Sequence, residues 1–141
     1  MPSPAPAFAA DHANVNRKQP ILIVDDDLDI REALAEVLAD RGFSSIAASN
    51  GAEALKLLRT LNEPPSIILL DIMMPVMDGY RFLEEKRTDP LLSTIPVAII
   101  TAGHGVDRDR IGETLPIVSK PIKLPQLMAA IENVHGSPST A

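Results

Sequence analysis

The chain has 141 residues, the size of one ordinary domain, which buries roughly two-thirds of its unfolded surface without staples. It has no cysteine, which excludes a disulfide framework, thiolate metal sites and thiol nucleophiles. Lys+Arg 13 against Asp+Glu 19 leaves 13 − 19 = −6, with 3% aromatics, a poor match to phosphate backbones, anionic lipid or base stacking.

Residues 1–19 differ in character from the rest of the chain. Pro2, Pro4 and Pro6 alternate with small residues, without apolar periodicity, so a disordered or linker-like tail is expected. There is no basic start leading into an apolar run of signal-peptide length, so export is not expected. No apolar run approaches the ~20 residues of a membrane span either. The expected location is cytoplasmic. Residues 136–141 read as a second tail, which leaves a domain at 20–135.

Inside that domain the pattern alternates. Ile21 to Val24 is a continuous apolar run ending in acids, as in a buried strand. Ile30, Leu34, Val37 and Leu38 come next at helical spacing, with Asp27 placed to cap that helix and Gly42 to stop it. Phe43 to Ala48 predicts a second strand. Ala54, Leu55, Leu58 and Leu61 mark a helix that ends before Pro64-Pro65. Ile67 to Leu70 predicts a third strand, ending at Asp71. Gly79 to Thr88 predicts a helix with Tyr80, Phe82 and Leu83 toward the core. Pro96 opens the strand Val97 to Ile100, which ends at Thr101. Gly103, Gly105 and Gly112 leave only a short or irregular helix in the next segment. Ile117 to Ser119 predicts a last strand before Lys120-Pro121, and Leu124, Leu127, Met128, Ile131 and Val134 mark a final amphipathic helix. Such alternation predicts βαβ units and a parallel sheet covered on both faces.

In an open parallel sheet, functional groups gather beyond the carboxyl ends of the strands. Here those ends carry Asp25 and Asp26, Asp71, Thr101 and Lys120. Each has a plain alternative: a solvated acidic loop, a turn aspartate, a strand threonine, an exposed lysine. Their placement at successive strand ends favours function. Clustered carboxylates repel, and a hard divalent cation relieves that conflict. Carboxylates, cation, ammonium and hydroxyl together form a site for a phosphoryl group.

Ile21 to Asp27, Leu70-Asp71-Ile72-Met73-Met74-Pro75-Val76-Met77-Asp78-Gly79, Ile100-Thr101-Ala102 and Ser119-Lys120-Pro121 together resemble the receiver domain of two-component response regulators. The resemblance implies a flavodoxin-like, doubly wound α/β fold whose five-stranded parallel sheet has the order 2-1-3-4-5. It implies Asp71 as phosphoacceptor for a phosphohistidine on a histidine kinase or phosphotransfer protein. Mg²⁺ (or Mn²⁺) would be held by Asp26, Asp71 and the Met73 backbone carbonyl, with Asp25 acting mainly through water. Lys120 would pair with Asp71 and then with the phosphoryl oxygens. Thr101 would swing onto the phosphoryl group, and small Ala102 would let the following loop close. Met74, Pro75 and Gly79 would shape the loop after Asp71, and the Lys120–Pro121 bond would be cis.

Two features depart from the family pattern. Ile117 stands where many receivers carry Tyr or Phe, and with no polar tip it is expected to stay buried. The stretch from Thr101 to Lys120 is shorter than usual and lacks the customary Gly-Ala before the last strand. His104, between two glycines, reads as a loop histidine without a role. The expectation is therefore a stand-alone signalling receiver that catalyses only its own phosphorylation and dephosphorylation and acts by protein contact, with no nucleic acid and no membrane insertion. The alternative is a receiver-like binding module that signals without phosphorylation through an atypical output face. A nucleotide binder of the same fold is disfavoured, since no G-x-G-x-x-G or P-loop motif comes after a strand.

Overall fold

The structure is a computed structural model that describes residues 19–102, 106–111 and 115–136. The expectations for the tails at 1–19 and 136–141 fall almost wholly outside these residues, as does that for His104. In chain order the elements are β1 (Ile21–Val24), α1 (Leu28–Asp40), β2 (Ser45–Ala48), α2 (Gly51–Thr60), β3 (Ile67–Asp71), α3 (Gly79–Thr88), β4 (Val97–Thr101), α4 (Arg108–Ile111), β5 (Ile117–Ser119) and α5 (Leu124–Gly136). The five strands form one parallel sheet in the order β2-β1-β3-β4-β5, the doubly wound arrangement expected. No helix among the described residues is long and apolar enough to cross a membrane.

The continuous apolar runs are explained by burial on both faces of the sheet. Leu22, Val24, Ile68, Leu70, Val97 and Ile99 point to one side, against Leu55 and Leu58 of α2, Phe82 and Leu83 of α3, and Ile111 of α4. Their neighbours Ile21, Ile23, Ile67, Leu69, Ala98 and Ile100 point to the other, against Leu34 and Leu38 of α1 and Leu127 and Ile131 of α5.

Local chemistry sets the ends of the elements. Asp27 caps α1, its side chain accepting from the N–H of Asp29 at 2.9 Å and of Ile30 at 3.4 Å. At the other end Gly42 has φ 88°. Its N–H donates to Ala39 O, and that of Phe43 donates to Leu38 O. This left-handed stop satisfies the terminal carbonyls and seats Phe43 in the core beside Leu38. The predicted second strand therefore loses its first two residues and starts at Ser45. Asn50 and Asp78 cap α2 and α3 in the same way as Asp27. Among the described residues, the segment rich in glycine carries a four-residue helix, α4, in line with the short or irregular helix expected.

Candidate functional site

All five strands run the same way, so their carboxyl ends share one edge of the sheet. The register sets Val24 beside Leu70, Asp71 beside Ile100 and Thr101 beside Ser119. The residues that end or succeed β1, β3, β4 and β5 are Asp25, Asp71, Thr101 and Lys120, and they meet there. Asp25, Asp71 and Thr101 are buried, at 2%, 5% and 3% exposure, while Asp26 is exposed.

Lys120 joins the acids. Its Nζ donates to Asp25 Oδ2 at 2.9 Å and to Asp71 Oδ2 at 3.3 Å. Pairing with Asp71 is as expected, but the shorter bond goes to Asp25. Asp25 is held on every side: Oδ1 accepts from Asp27 N–H at 2.9 Å, and its backbone carbonyl accepts from Arg31 Nη1 at 2.7 Å. Both Asp25 carboxylate oxygens are thus engaged within the protein. Arg31 was not legible in the sequence as part of the site; only its position one turn beyond the acidic loop hints at it. Asp71 Oδ1 accepts from Met73 N–H at 3.2 Å, which turns the backbone after β3 toward the site, while the Met73 side chain is 69% exposed. The backbone N–H of Lys120 donates to Thr101 O at 2.9 Å, and the Lys120–Pro121 bond is cis.

The loop after Asp71 is folded back tightly. Gly79 N–H donates to Ile72 O at 2.8 Å. A Cβ on Gly79 would lie 2.7 Å from Ile72 Cα and 2.8 Å from Asp71 O, so only glycine fits. Val76 at the loop tip has φ 67°, the left-handed region that a β-branched residue seldom occupies.

Electrostatics follow from this geometry. Burial, and then the charge of Asp25, push the Asp71 carboxyl above its ordinary range; Lys120 and the Met73 N–H only partly offset them. Burial alone would lower Lys120, yet its bond to Asp25 and the charges of Asp71 and Asp25 outweigh it and hold the ammonium above its ordinary value. Asp25, Asp26 and Asp71 each place a carboxylate oxygen within 4.8 Å of the others'. Three carboxylates and one ammonium leave a formal −3 + 1 = −2 at a half-buried spot, with carboxylate oxygens as the donors a cation would meet. That donor set fits a hard divalent cation with part of its water shell retained. Ala102 is exposed beside Thr101. Ile117 lies only half-buried against the α2–α3–α4 side of the core, short of the full burial expected, on the edge strand β5.

The profile of the response regulator receiver domain family matches residues 21–132. The chain belongs to the response regulator receiver family. Among curated relatives, the response regulator Rre1 of Synechocystis sp. is 35% identical over 119 residues, 81% of this chain and 50% of that protein. A probable transcriptional regulator, ycf27 of Porphyra purpurea, is 44% identical over 94 residues, 66% of this chain and 37% of that protein. The receiver thus spans about a third to a half of the length of these relatives. Among solved structures, the chemotaxis protein CheY4 of Vibrio cholerae is 25% identical with a TM-score of 0.73, covering 82% of this chain and 98% of that one. A putative response regulator from Chloroflexus aurantiacus is 28% identical with a TM-score of 0.73, covering 82% of this chain and 96% of that one. The domain is a signalling receiver, and its acidic pocket is of the kind in which receivers bind Mg²⁺.

Proposed function

We propose that residues 20–135 work as a phosphoacceptor, with Asp71 taking a phosphoryl group from a phosphohistidine on a histidine kinase or phosphotransfer protein. The observation that carries this reading is the pairing of buried Asp71 with Lys120 at 3.3 Å inside a cluster of three carboxylates. An ionised Asp71 oxygen attacks phosphorus, the P–N bond breaks with its electron pair left on the imidazole, and an acyl phosphate forms. Lys120 changes partners from carboxylate to phosphoryl oxygen without leaving its place. The Thr101 hydroxyl, starting from the next strand end, donates to the same phosphoryl group. Asp26, Asp71 and the Met73 carbonyl, backed by Asp25, would hold Mg²⁺ or Mn²⁺, which supplies positive charge against the phosphoryl oxygens when bound. Because Asp71 is nucleophilic only when ionised, its raised pKa makes the uncomplexed site a weaker acceptor as the pH falls.

Lys120 also borders an apolar groove between α1 and the start of α5, lined by Ile30, Leu34, Val37, Ile122 and Leu127. A protein donor whose phosphohistidine reaches Asp71 covers this groove, which favours a macromolecular donor over a small molecule alone. Output is proposed to be protein contact in the cytoplasm. Several relatives are named transcriptional regulators, but they are two to three times as long as the matched domain. The chain carries a net charge of −6, which disfavours direct contact of this domain with nucleic acid.

The test is acetyl phosphate with Mg²⁺, read by intact mass. The expected result is one acid-labile phosphoryl group on the wild type and none on Asp71→Asn. Undiminished labelling of Asp71→Asn overturns the assignment. Normal folding with no labelling of the wild type favours the phosphorylation-independent binding module, for which half-buried Ile117 and the four-residue α4 are the supporting observations.

A further inference from the structure

Asp26 is the exposed member of the acidic cluster, between buried Asp25 and Asp71. Among the described residues, no hydrogen bond ties down its side chain. Where its Cα–Cβ bond points is therefore decided by the two rigid peptide planes on either side of it. Each of these planes is pinned. The Asp25–Asp26 plane is held at the Asp25 carbonyl, which accepts from Arg31 Nη1 at 2.7 Å. The Asp26–Asp27 plane is held at the Asp27 N–H, which donates to Asp25 Oδ1 at 2.9 Å.

Arg31 is a firm anchor for this purpose. It belongs to the first turn of α1, where its backbone N–H donates to Asp27 O at 3.0 Å and Asp27 caps the helix. From there the half-buried side chain reaches back over the turn that its own backbone closes. The acidic loop is thus fastened to α1 twice, once through the Arg31 backbone and once through its guanidinium.

We propose that Arg31 is a positioning residue for the cation site: by fixing the Asp25–Asp26 peptide plane it presents the Asp26 carboxylate beside that of Asp71 and favours Mg²⁺ over the larger Ca²⁺. The inference rests on the reading of Asp26 and Asp71 as metal ligands. By charge alone Arg31 would repel a cation, so the two possible roles have opposite signs. Removing a positioning donor weakens cation binding, whereas removing a positive charge strengthens it. The loss falls mainly on Mg²⁺, which demands near-octahedral geometry at short distance, while Ca²⁺ accepts irregular coordination.

The experiment titrates the full chain with Mg²⁺ and, separately, with Ca²⁺ by isothermal calorimetry at constant ionic strength. Arg31→Met keeps an apolar stem without a donor. In it Mg²⁺ binding is expected to weaken about tenfold, the low end for groups that orient metal ligands, and Ca²⁺ binding to weaken less. Arg31→Lys, which keeps the charge and a donor, is expected to lie between Arg31→Met and the wild type. Circular dichroism in metal-free buffer checks folding, and Arg31→Gln replaces Arg31→Met, with the same expectation, if that variant does not fold. Unchanged or tighter Mg²⁺ binding without the donor, an equal loss for both cations, or no recovery in Arg31→Lys overturns the positioning role and leaves the metal site standing. No Mg²⁺ binding by the folded wild type overturns the metal site and this inference together.

Discussion

The acidic rim and the α4–β5 flank lie on the same sheet but are built differently. At the rim, individual charged groups are buried and held to particular partners: Asp25, Asp71 and Lys120 engage one another at 2.9 and 3.3 Å. The flank is a four-residue helix, a three-residue edge strand and a half-buried isoleucine, held by side chains reaching across from α3. The rim is specified by the chemistry of these charged groups. The flank is specified by packing and by a few tethers.

The contrast breaks most clearly through Lys120. Lys120→Ala removes the ammonium facing Asp25 and Asp71, and phosphorylation from acetyl phosphate is expected to slow about 100-fold, as for other preorganised charges on a reacting anion. The chain should stay folded, because the carboxylates left behind can protonate or hold a cation; a near-normal rate would show that the rim does not work as described. The flank should show the reverse. Ile117→Ala is expected to cost about 1–2 kcal/mol in urea unfolding, below the range for fully buried isoleucine, with little change in labelling rate. A large loss of rate at normal stability would erase the distinction between the regions.

The smallest effect is the most diagnostic of the rim. The folded state binds the Asp71 proton more tightly than the unfolded state does, since its pKa is raised. In metal-free buffer Asp71 therefore destabilises the fold at neutral pH, and this penalty shrinks as pH falls through the raised value. Asp71→Asn should be more stable than the wild type at pH 7, the gap closing toward acid and narrowing when Mg²⁺ is added. A gap that is independent of pH and Mg²⁺ would mean that Asp71 is not strained by its surroundings. Lys120, also raised, adds stability that is lost only as pH climbs beyond about 10.5.

Much of the molecule was legible in one dimension. Apolar runs of four or five residues ending in an acid, a threonine or a lysine mark strands of a parallel sheet, because burial on both faces leaves polar groups only at the ends. Asp27 and Gly42 announce the limits of α1 by capping chemistry alone, and the glycines around α4 announce its shortness. The strand order came from the resemblance and not from periodicity, which is blind to which strands are neighbours.

Tertiary structure decided the rest. Which acid lies nearest Lys120 depends on the strand register, and sequence spacing does not measure distances between residues 95 apart in the chain. The Schellman-type turn that shortens the second strand requires Phe43 to find the core beside Leu38. Tyr80 looked like a core residue because a ring at helical spacing implies burial, yet its hydroxyl is taken by a backbone N–H 27 residues away. Local sequence determines what each segment prefers to be, since propensity and capping act within a few residues. It does not determine which polar groups meet, because that depends on packing the whole sheet.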